Sequence, residues 1–197
     1  MKQIEFFYDF ASPYSYLAST RMEGLEKRTG APVIWRPFAL GHVFKEAGNA
    51  MTASIPAKAK YMITDLKRWA EFYQVPFQWP SLFPLRSVPA LRAALAAEEL
   101  GQFLQLSAAL FQAYWTEGQD LSQTTVLQKI ADSLGLPGAK IAARIEDQAI
   151  KDKLRANTEE AVRRGAFGAP TFFVGEEMFW GNDRIEMVER FLQGRKA

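Results

Sequence analysis

The sequence predicts an α/β protein whose sheet-forming segments lie near its two ends, on either side of a long helical stretch. Near the start, residues 3–9 are strand-like and lead through Ser12 and Pro13 into an amphipathic helical pattern. Near the end, Pro170 opens the apolar run 171–174, which is typical of a buried strand. Between these segments, apolar residues recur mostly at helical spacing.

The opening segment is expected to form a strand, a helix and a second strand. Ser12 is a suitable N-cap because its hydroxyl can accept a backbone hydrogen bond, and Pro13 at the first helical position loses no needed donor. We expect this helix to continue to Gly30, and residues 33–37 to form the second strand.

The middle of the chain is predicted to be helical, apart from a loop rich in proline and aromatic residues at 76–88. Helical periodicity or helix start and stop signals mark residues 57–73, 90–100, 103–115, 122–134, 141–145 and 152–164. Gly165 is expected to close the last of these helices as a left-handed cap.

The end of the chain predicts two strands, 171–174 and 178–180, joined by a turn at 175–177, and a final helix from near Asn182. Strand–helix–strand at the start and two strands with a helix at the end are the two halves of a thioredoxin-like sheet. We therefore predict an α/β, thioredoxin-like fold with a large all-helical insertion. Its expected halves are residues 1–40 and 166–197, and the expected insertion is 41–165.

Composition excludes several classes of function. The chain has 197 residues, no cysteine, one histidine and a net charge of +2. Without cysteine and with a single histidine, no disulfide and no transition-metal site is expected. The slight charge gives no argument for nucleic acid binding. No apolar run approaches the roughly 20 residues of a membrane span, and no signal-peptide pattern precedes the first strand, so we expect a cytoplasmic protein.

Ser12 is the first candidate for chemistry. A thioredoxin-like fold keeps its reactive Cys-x-x-Cys at this position, so a chain without cysteine needs a thiol that arrives with a ligand. The start of a helix favours an anion, and Ser12 could donate a hydrogen bond to a bound thiolate. It could equally be a capping residue alone. A serine hydrolase is not indicated, because His42 is the one histidine and lies in a predicted loop.

Ala169–Pro170 is the second candidate. A proline that opens a strand facing the start of a helix favours a cis peptide bond, which would leave the backbone of Ala169 free to pair with an extended peptide. A trans proline at the start of a strand is the alternative.

Residues 180–184 are the third candidate. Asn182 or Asp183 is expected to cap the last helix, where backbone N–H groups could receive a carboxylate. Asp183 could pair with an ammonium group, so that a γ-glutamyl group, which has both charges, would fit. The alternative is a plain cap with Arg184 in solvent.

Five motifs in order resemble those of a known family. They are YDFASPYSYL (8–17), GN (48–49), YMITDLKRW (61–69), GAFGAPT (165–171) and FWGNDR (179–184). They are similar to the 2-hydroxychromene-2-carboxylate isomerases, which belong with the kappa-class glutathione transferases and, more distantly, with bacterial disulfide oxidoreductases. The resemblance covers essentially the whole chain.

The resemblance implies glutathione as cofactor and assigns residues to it. Ser12 matches the catalytic serine that contacts the glutathione sulfur, and Asn49 matches an asparagine near glutathione. Ala169 matches the residue before the cis proline, here Pro170, whose backbone holds the cysteinyl unit. The segment that binds the γ-glutamyl end is matched by Gly181, Asn182 and Asp183.

The resemblance also implies a small aromatic carboxylate as substrate. Lys45 falls near a basic position beside the substrate carboxylate, and Arg86 is an alternative. The loop at 81–86, with Phe83, Pro84 and Arg86, departs from the naphthalene-pathway isomerases, whose polar residues meet the substrate at this place.

We therefore expect a glutathione-dependent cis–trans isomerase of aromatic-compound degradation, acting as a homodimer. A kappa-type transferase is the alternative within the same fold. A catalytically silent module that binds peptides at the Pro170 edge is the alternative from another class.

Overall fold

A four-stranded mixed sheet organises the computed structural model, which describes residues 2–194. Its strands are β1 (Ile4–Tyr8), β2 (Val33–Pro37), β3 (Thr171–Val174) and β4 (Glu177–Trp180), in the order β2-β1-β3-β4. β1 and β2 are parallel, whereas β1–β3 and β3–β4 are antiparallel. The prediction of two strands from each end of the chain is confirmed, and so is the thioredoxin-like α/β fold.

The rest of the described chain is mostly helical. Within residues 2–194 the α-helices are α1 (Pro13–Ser19), α2 (Met22–Thr29), α3 (Leu40–Glu46), α4 (Pro56–Tyr73), α5 (Val88–Glu98), α6 (Phe103–Trp115), α7 (Thr124–Ser133), α8 (Gly138–Arg144), α9 (Gln148–Arg163) and α10 (Ile185–Leu192). All elements between β2 and β3 are helical. The predicted boundaries of the insertion stay a prediction, and Met1 and residues 195–197 lie outside the described residues. None of the described helices is long and apolar enough to cross a membrane.

The prediction of one continuous helix from Pro13 to Gly30 is wrong, because the structure has two helices, α1 and α2, separated at Thr20 and Arg21. The hydroxyl of Ser19 donates to the Tyr16 carbonyl at 2.7 Å, and that of Thr20 donates to the Leu17 carbonyl at 2.7 Å. Such side-chain bonds to the preceding turn compete with the regular helical ladder.

The placement of His42 in a loop is also wrong, because it lies in α3. This seven-residue helix has no side-chain cap of its own. Instead, the Leu40 N–H donates to Asp9 Oδ2 at 2.9 Å, and the Ala39 N–H donates to Thr158 Oγ1 at 3.0 Å. Both partners are remote in sequence, so local pattern gave no signal for α3.

The two faces of β1 enter two separate cores. Phe6 and Tyr8 belong to the larger core, which includes α1, α5 and α6. Phe7 points to the other face and packs with Phe38 and Phe173 beneath α3 and α9. This alternation follows from the two-residue period of a strand. The sheet is therefore covered by helices on both faces, and the carboxyl ends of β1 and β2 lead directly into the segments that carry Ser12 and α3.

Candidate active site

Ser12 lies at the start of α1 and contacts the loop before β3. Its hydroxyl accepts the Ser15 N–H at 3.1 Å, which confirms that it caps the helix. The same hydroxyl donates to the Ala169 carbonyl at 3.1 Å. Ser12 is only 4% exposed. The structure therefore joins two of the three candidate segments through one side chain, although 157 residues separate them in sequence.

Asp9 supports this arrangement, and the sequence analysis did not identify it. One carboxylate oxygen accepts the Ala11 N–H at 2.9 Å and the other accepts the Leu40 N–H at 2.9 Å. Its backbone carbonyl accepts the Ser12 N–H at 3.0 Å. Burial raises the pKa of the Asp9 carboxyl above its usual range, while hydrogen bonds from Ser87, Ala11 and Leu40 oppose that rise. Asp9 thus holds the β1–α1 turn against α3 and the start of α5.

The peptide bond between Ala169 and Pro170 is cis, as the sequence predicted. Pro170 is buried, and its carbonyl accepts the Gly181 N–H at 3.0 Å. Among the described residues the backbone N–H of Ala169 has no hydrogen-bond partner. Residue 169 therefore presents an unused backbone donor beside the Ser12 hydroxyl.

The segment after β4 lies next to this loop. Gly181 has a φ of 110°, a backbone conformation that favours glycine. An added Cβ would also lie 2.4 Å from Asp183 Oδ1. The expectation that Asn182 or Asp183 caps the last helix is wrong: residues 182–184 form a 3₁₀ turn, and α10 begins at Ile185 without a side-chain cap. Asp183 instead pairs with Arg184 at 2.5 Å, so Arg184 is not merely solvated.

Asn182 is buried and carries an unused polar group. Its carbonyl accepts the Tyr73 hydroxyl at 3.2 Å. Its side-chain Nδ2 is buried and has no hydrogen-bond partner among residues 2–194. Buried amide donors are normally paired, so Asn182 keeps one unused donor beside the loop before β3.

Asn49 connects the end of α3 to the loop before Pro170. Its Nδ2 donates to the Phe167 carbonyl at 2.8 Å, and its Oδ1 accepts the Ala50 N–H at 2.8 Å. The side chain is exposed, and the Phe167 that it contacts lies two residues before Ala169. Ser12 and Asn49 therefore both hydrogen-bond to the short segment 167–169.

Tyr14 is a further residue at this place that the sequence analysis did not assign. Its hydroxyl donates to Asp65 Oδ2 at 3.1 Å, and the Tyr61 hydroxyl donates to Asp65 Oδ1 at 3.4 Å. Burial raises the pKa of Tyr14, and the negative charges of Asp65 and Asp183 raise it further. The start of α1 is therefore linked to α4 and lies close to the segment after β4.

The four residues assigned to the substrate lie in two places, with Lys45 on α3 and Phe83, Pro84 and Arg86 in the loop before α5. Lys45 is exposed on the last turn of α3, and Pro84 is exposed after a second cis bond, Phe83–Pro84, that the sequence did not predict. Arg86 is exposed, and it adds a small part to the lowering of the Glu146 pKa, which comes chiefly from the hydrogen bond with Lys151. Within residues 2–194, no hydrogen bond joins any of these four residues to Ser12 or Ala169.

Phe83 belongs to an aromatic cluster that borders the β1–α1 turn. Its ring lies 4.6 Å from Trp79 and 6.4 Å from Trp115. The indole N–H of Trp115 donates to the Phe10 carbonyl at 2.9 Å. The aromatic loop predicted at 76–88 is confirmed as a loop up to residue 87, since α5 begins at Val88. The fully buried Trp115 therefore ties this loop to Phe10, two residues before Ser12.

Replacing Gly168 by Ala should destabilise this site, because the added Cβ would lie 2.5 Å from Trp180 Nε1. We expect a loss of about 1–3 kcal/mol in the free energy of unfolding, as for other overpacked positions, measured by urea denaturation. Gly41→Ala is the matched control: its Cβ meets nothing within 4 Å, and alanine within a helix should add about 0.5–1 kcal/mol. Equal stability of the two variants would contradict the close packing of Trp180 on Gly168.

Comparisons with known proteins identify the family. The DSBA-like thioredoxin domain model matches residues 3–193. A 2-hydroxychromene-2-carboxylate isomerase of Sphingobium xenophagum is 34% identical over 97% of this chain and 98% of the relative. Glutathione S-transferase kappa 1 of Caenorhabditis elegans is 31% identical over 98% and 92%. The solved structure of a 2-hydroxychromene-2-carboxylate isomerase superposes with a TM-score of 0.88 at 28% identity, covering 97% and 94%.

These findings confirm the resemblance noted in the sequence over nearly the whole chain. The identity to the isomerases and the likeness of the folds extend through both the sheet and the helices between its halves. The chain therefore belongs to the DSBA-like thioredoxin-domain family and, within it, to the enzymes of the 2-hydroxychromene-2-carboxylate isomerase group.

Proposed function

We propose that this enzyme is a glutathione-dependent cis–trans isomerase that converts 2-hydroxychromene-2-carboxylate, or a related intermediate of aromatic-compound degradation, to trans-o-hydroxybenzylidenepyruvate. The observation that carries the proposal is the contact between the Ser12 hydroxyl and Ala169 at 3.1 Å, in a chain that is 34% identical to a named isomerase.

The residues at this place fit glutathione. The tripeptide has backbone amides, a thiol and, at its γ-glutamyl end, a carboxylate and an ammonium group. The unpaired N–H of Ala169 can pair with its cysteinyl unit, as in strand addition. The unpaired Nδ2 of Asn182 would donate to a carboxylate once its side chain turns toward the ligand, and the exposed Asp183 can attract an ammonium group. The relation to glutathione transferases supports the same ligand.

The proposed roles follow from chemistry that each group can perform. Ser12 would turn its hydroxyl from the Ala169 carbonyl to the thiol sulfur, because a hydrogen bond to the charged form favours the thiolate. Gly181 and Asn49 would hold the surrounding backbone and the ligand in register. Bound glutathione supplies a thiol that adds to an electrophilic carbon and leaves again, so that a former double bond is free to rotate in between.

The substrate would lie against the aromatic loop. Phe83 and Trp79 offer an apolar wall close to the β1–α1 turn, which suits a ring-bearing substrate. Lys45 remains our proposed partner for its carboxylate, since it is exposed on the same helix that ends near Asn49.

Product analysis tests the proposal and separates it from its main alternative. The full chain is incubated with 2-hydroxychromene-2-carboxylate, with and without glutathione, and the product is examined by mass spectrometry. We expect a product of unchanged mass that forms only with glutathione, which is recovered intact. A product that gains the mass of one glutathione would indicate the transferase, which the kappa-class relative favours. No binding of millimolar glutathione in calorimetry would favour the silent peptide-binding module.

We also propose a cytoplasmic location and a homodimer, as the resemblance implies. Analytical ultracentrifugation of the full chain measures its oligomeric state directly. A single species of monomer mass at micromolar concentration would contradict the homodimer.

A further inference from the structure

A recess separate from the Ser12 site lies between α3, α5 and α9. Its volume is about 270 Å³, close to the lower limit of typical small-molecule pockets. Ala39, Val88 and Leu154 provide apolar surface, and Arg92, Lys151 and Arg155 provide positive charge. It shares no residue with the site formed by Ser12, Asn49, Ala169 and residues 181–183. A wall that offers both apolar surface and positive charge suits an anion with an apolar body.

Arg92 is the least satisfied cation in this wall. Its side chain is 22% exposed, and its Nε is buried without a hydrogen-bond partner among the described residues. The bond from its Nη1 to Glu146 Oε1 is long, at 3.4 Å. A guanidinium has five N–H donors, and buried ones are normally paired. Much of the hydrogen-bonding capacity of Arg92 is therefore unused.

Glu146 places a carboxylate at the rim, between two of these cations. Besides Arg92, it pairs with Lys151 at 2.7 Å. Its own side chain is 72% exposed, and ion pairs of exposed groups are weak because water and salt screen them. Arg92 and Lys151 can therefore hold one carboxylate between them, and the Glu146 carboxylate that now occupies this place is bound only weakly.

Two further charged groups, Arg155 and Glu159, line the recess. Arg155 pairs with Asp152 at 3.1 Å, and Glu159 contributes a negative charge to the wall. A dianion such as phosphate would face Glu159 without gaining from the apolar side. A monocarboxylate would use both surfaces.

We propose that this recess binds a small organic carboxylate with an apolar body, whose carboxylate takes the place of Glu146 on Arg92 and Lys151. The apolar body lies against Val88 and Leu154. This site is independent of the proposed glutathione chemistry.

Calorimetric titration of the full chain with benzoate tests the proposal. We expect Glu146→Gln to bind benzoate several-fold more tightly than the unchanged protein, because it removes the competing carboxylate. Arg92→Gln should bind it at least ten-fold more weakly, and Lys151→Gln serves as the second variant if Arg92→Gln does not fold. Benzyl alcohol and inorganic phosphate, which each lack one half of the ligand, should bind more weakly than benzoate.

Ser12→Ala identifies which site benzoate occupies. We expect this variant to keep the benzoate affinity of the unchanged protein. The proposal would be overturned if Glu146→Gln bound benzoate more weakly than the unchanged protein. It would also be overturned if Arg92→Gln and Lys151→Gln kept the unchanged affinity for benzoate, or if Ser12→Ala lost benzoate binding. None of these results would affect the product analysis, so the two proposals fail separately.

Discussion

Replacing Ser12 by Ala is expected to lower turnover with glutathione about 10- to 150-fold, because a hydrogen bond to a charged group contributes roughly 1.5–3 kcal/mol and each 1.36 kcal/mol changes a rate tenfold. The variant should also raise the pKa of the bound thiol, since the thiolate loses a hydrogen-bond donor. Steady-state rates and the ultraviolet absorbance of the thiolate as a function of pH measure the two effects.

The variant should remain folded. It loses the cap on the Ser15 N–H, which costs about 1 kcal/mol in most proteins, and the bond to Ala169. Ser19→Ala is the matched control, because the Ser19 hydroxyl donates to the Tyr16 carbonyl at the other end of α1. Full turnover in Ser12→Ala, or an equal loss in Ser19→Ala, would exclude the proposed role of Ser12.

Replacing Trp115 by Ala is expected to have the largest effect on stability. This side chain is fully buried, and its ring contacts Tyr16, Phe77 and Trp79. Truncation of a buried tryptophan costs about 3–5 kcal/mol, a large part of the 5–15 kcal/mol of a typical domain. Urea denaturation followed by circular dichroism measures the loss.

Two further variants separate the contribution of the indole hydrogen bond from that of ring burial. Trp115→Phe keeps a ring but leaves the Phe10 carbonyl without its indole partner, which should cost about 1–3 kcal/mol. Trp180→Ala is the control, because Trp180 is 48% exposed and should lose less than half as much as Trp115→Ala. If both alanine variants lose the same stability, Trp115 does not hold the aromatic loop against the β1–α1 turn as we describe.

Much of the fold could be predicted because its signals are local. The aromatic strands, Pro13 at the first helical position and Gly165, whose φ is 90°, each act within a few residues. Short-range sterics and capping determine such features whatever the rest of the chain does. The cis bond before Pro170 was predicted on a different basis, because the thioredoxin-like arrangement places the start of this strand opposite the start of a helix.

The elements that were missed depend on remote partners. α3 begins where Asp9 and Thr158 accept backbone N–H groups, and neither is a neighbour in sequence. The expected caps at Asn182 and Asp183 failed for a related reason: Gly181 is bound to the Pro170 carbonyl, and a 3₁₀ turn precedes α10.

The sequence by itself determined the strands, most helices and the identity of the three candidate segments, because residue type and spacing act locally. Only the tertiary structure decided that Ser12 and Asn49 converge on residues 167–169 while Arg86 lies near Glu146. The physical reason is that hydrogen bonds between segments more than a hundred residues apart form only after the sheet has brought its two halves together.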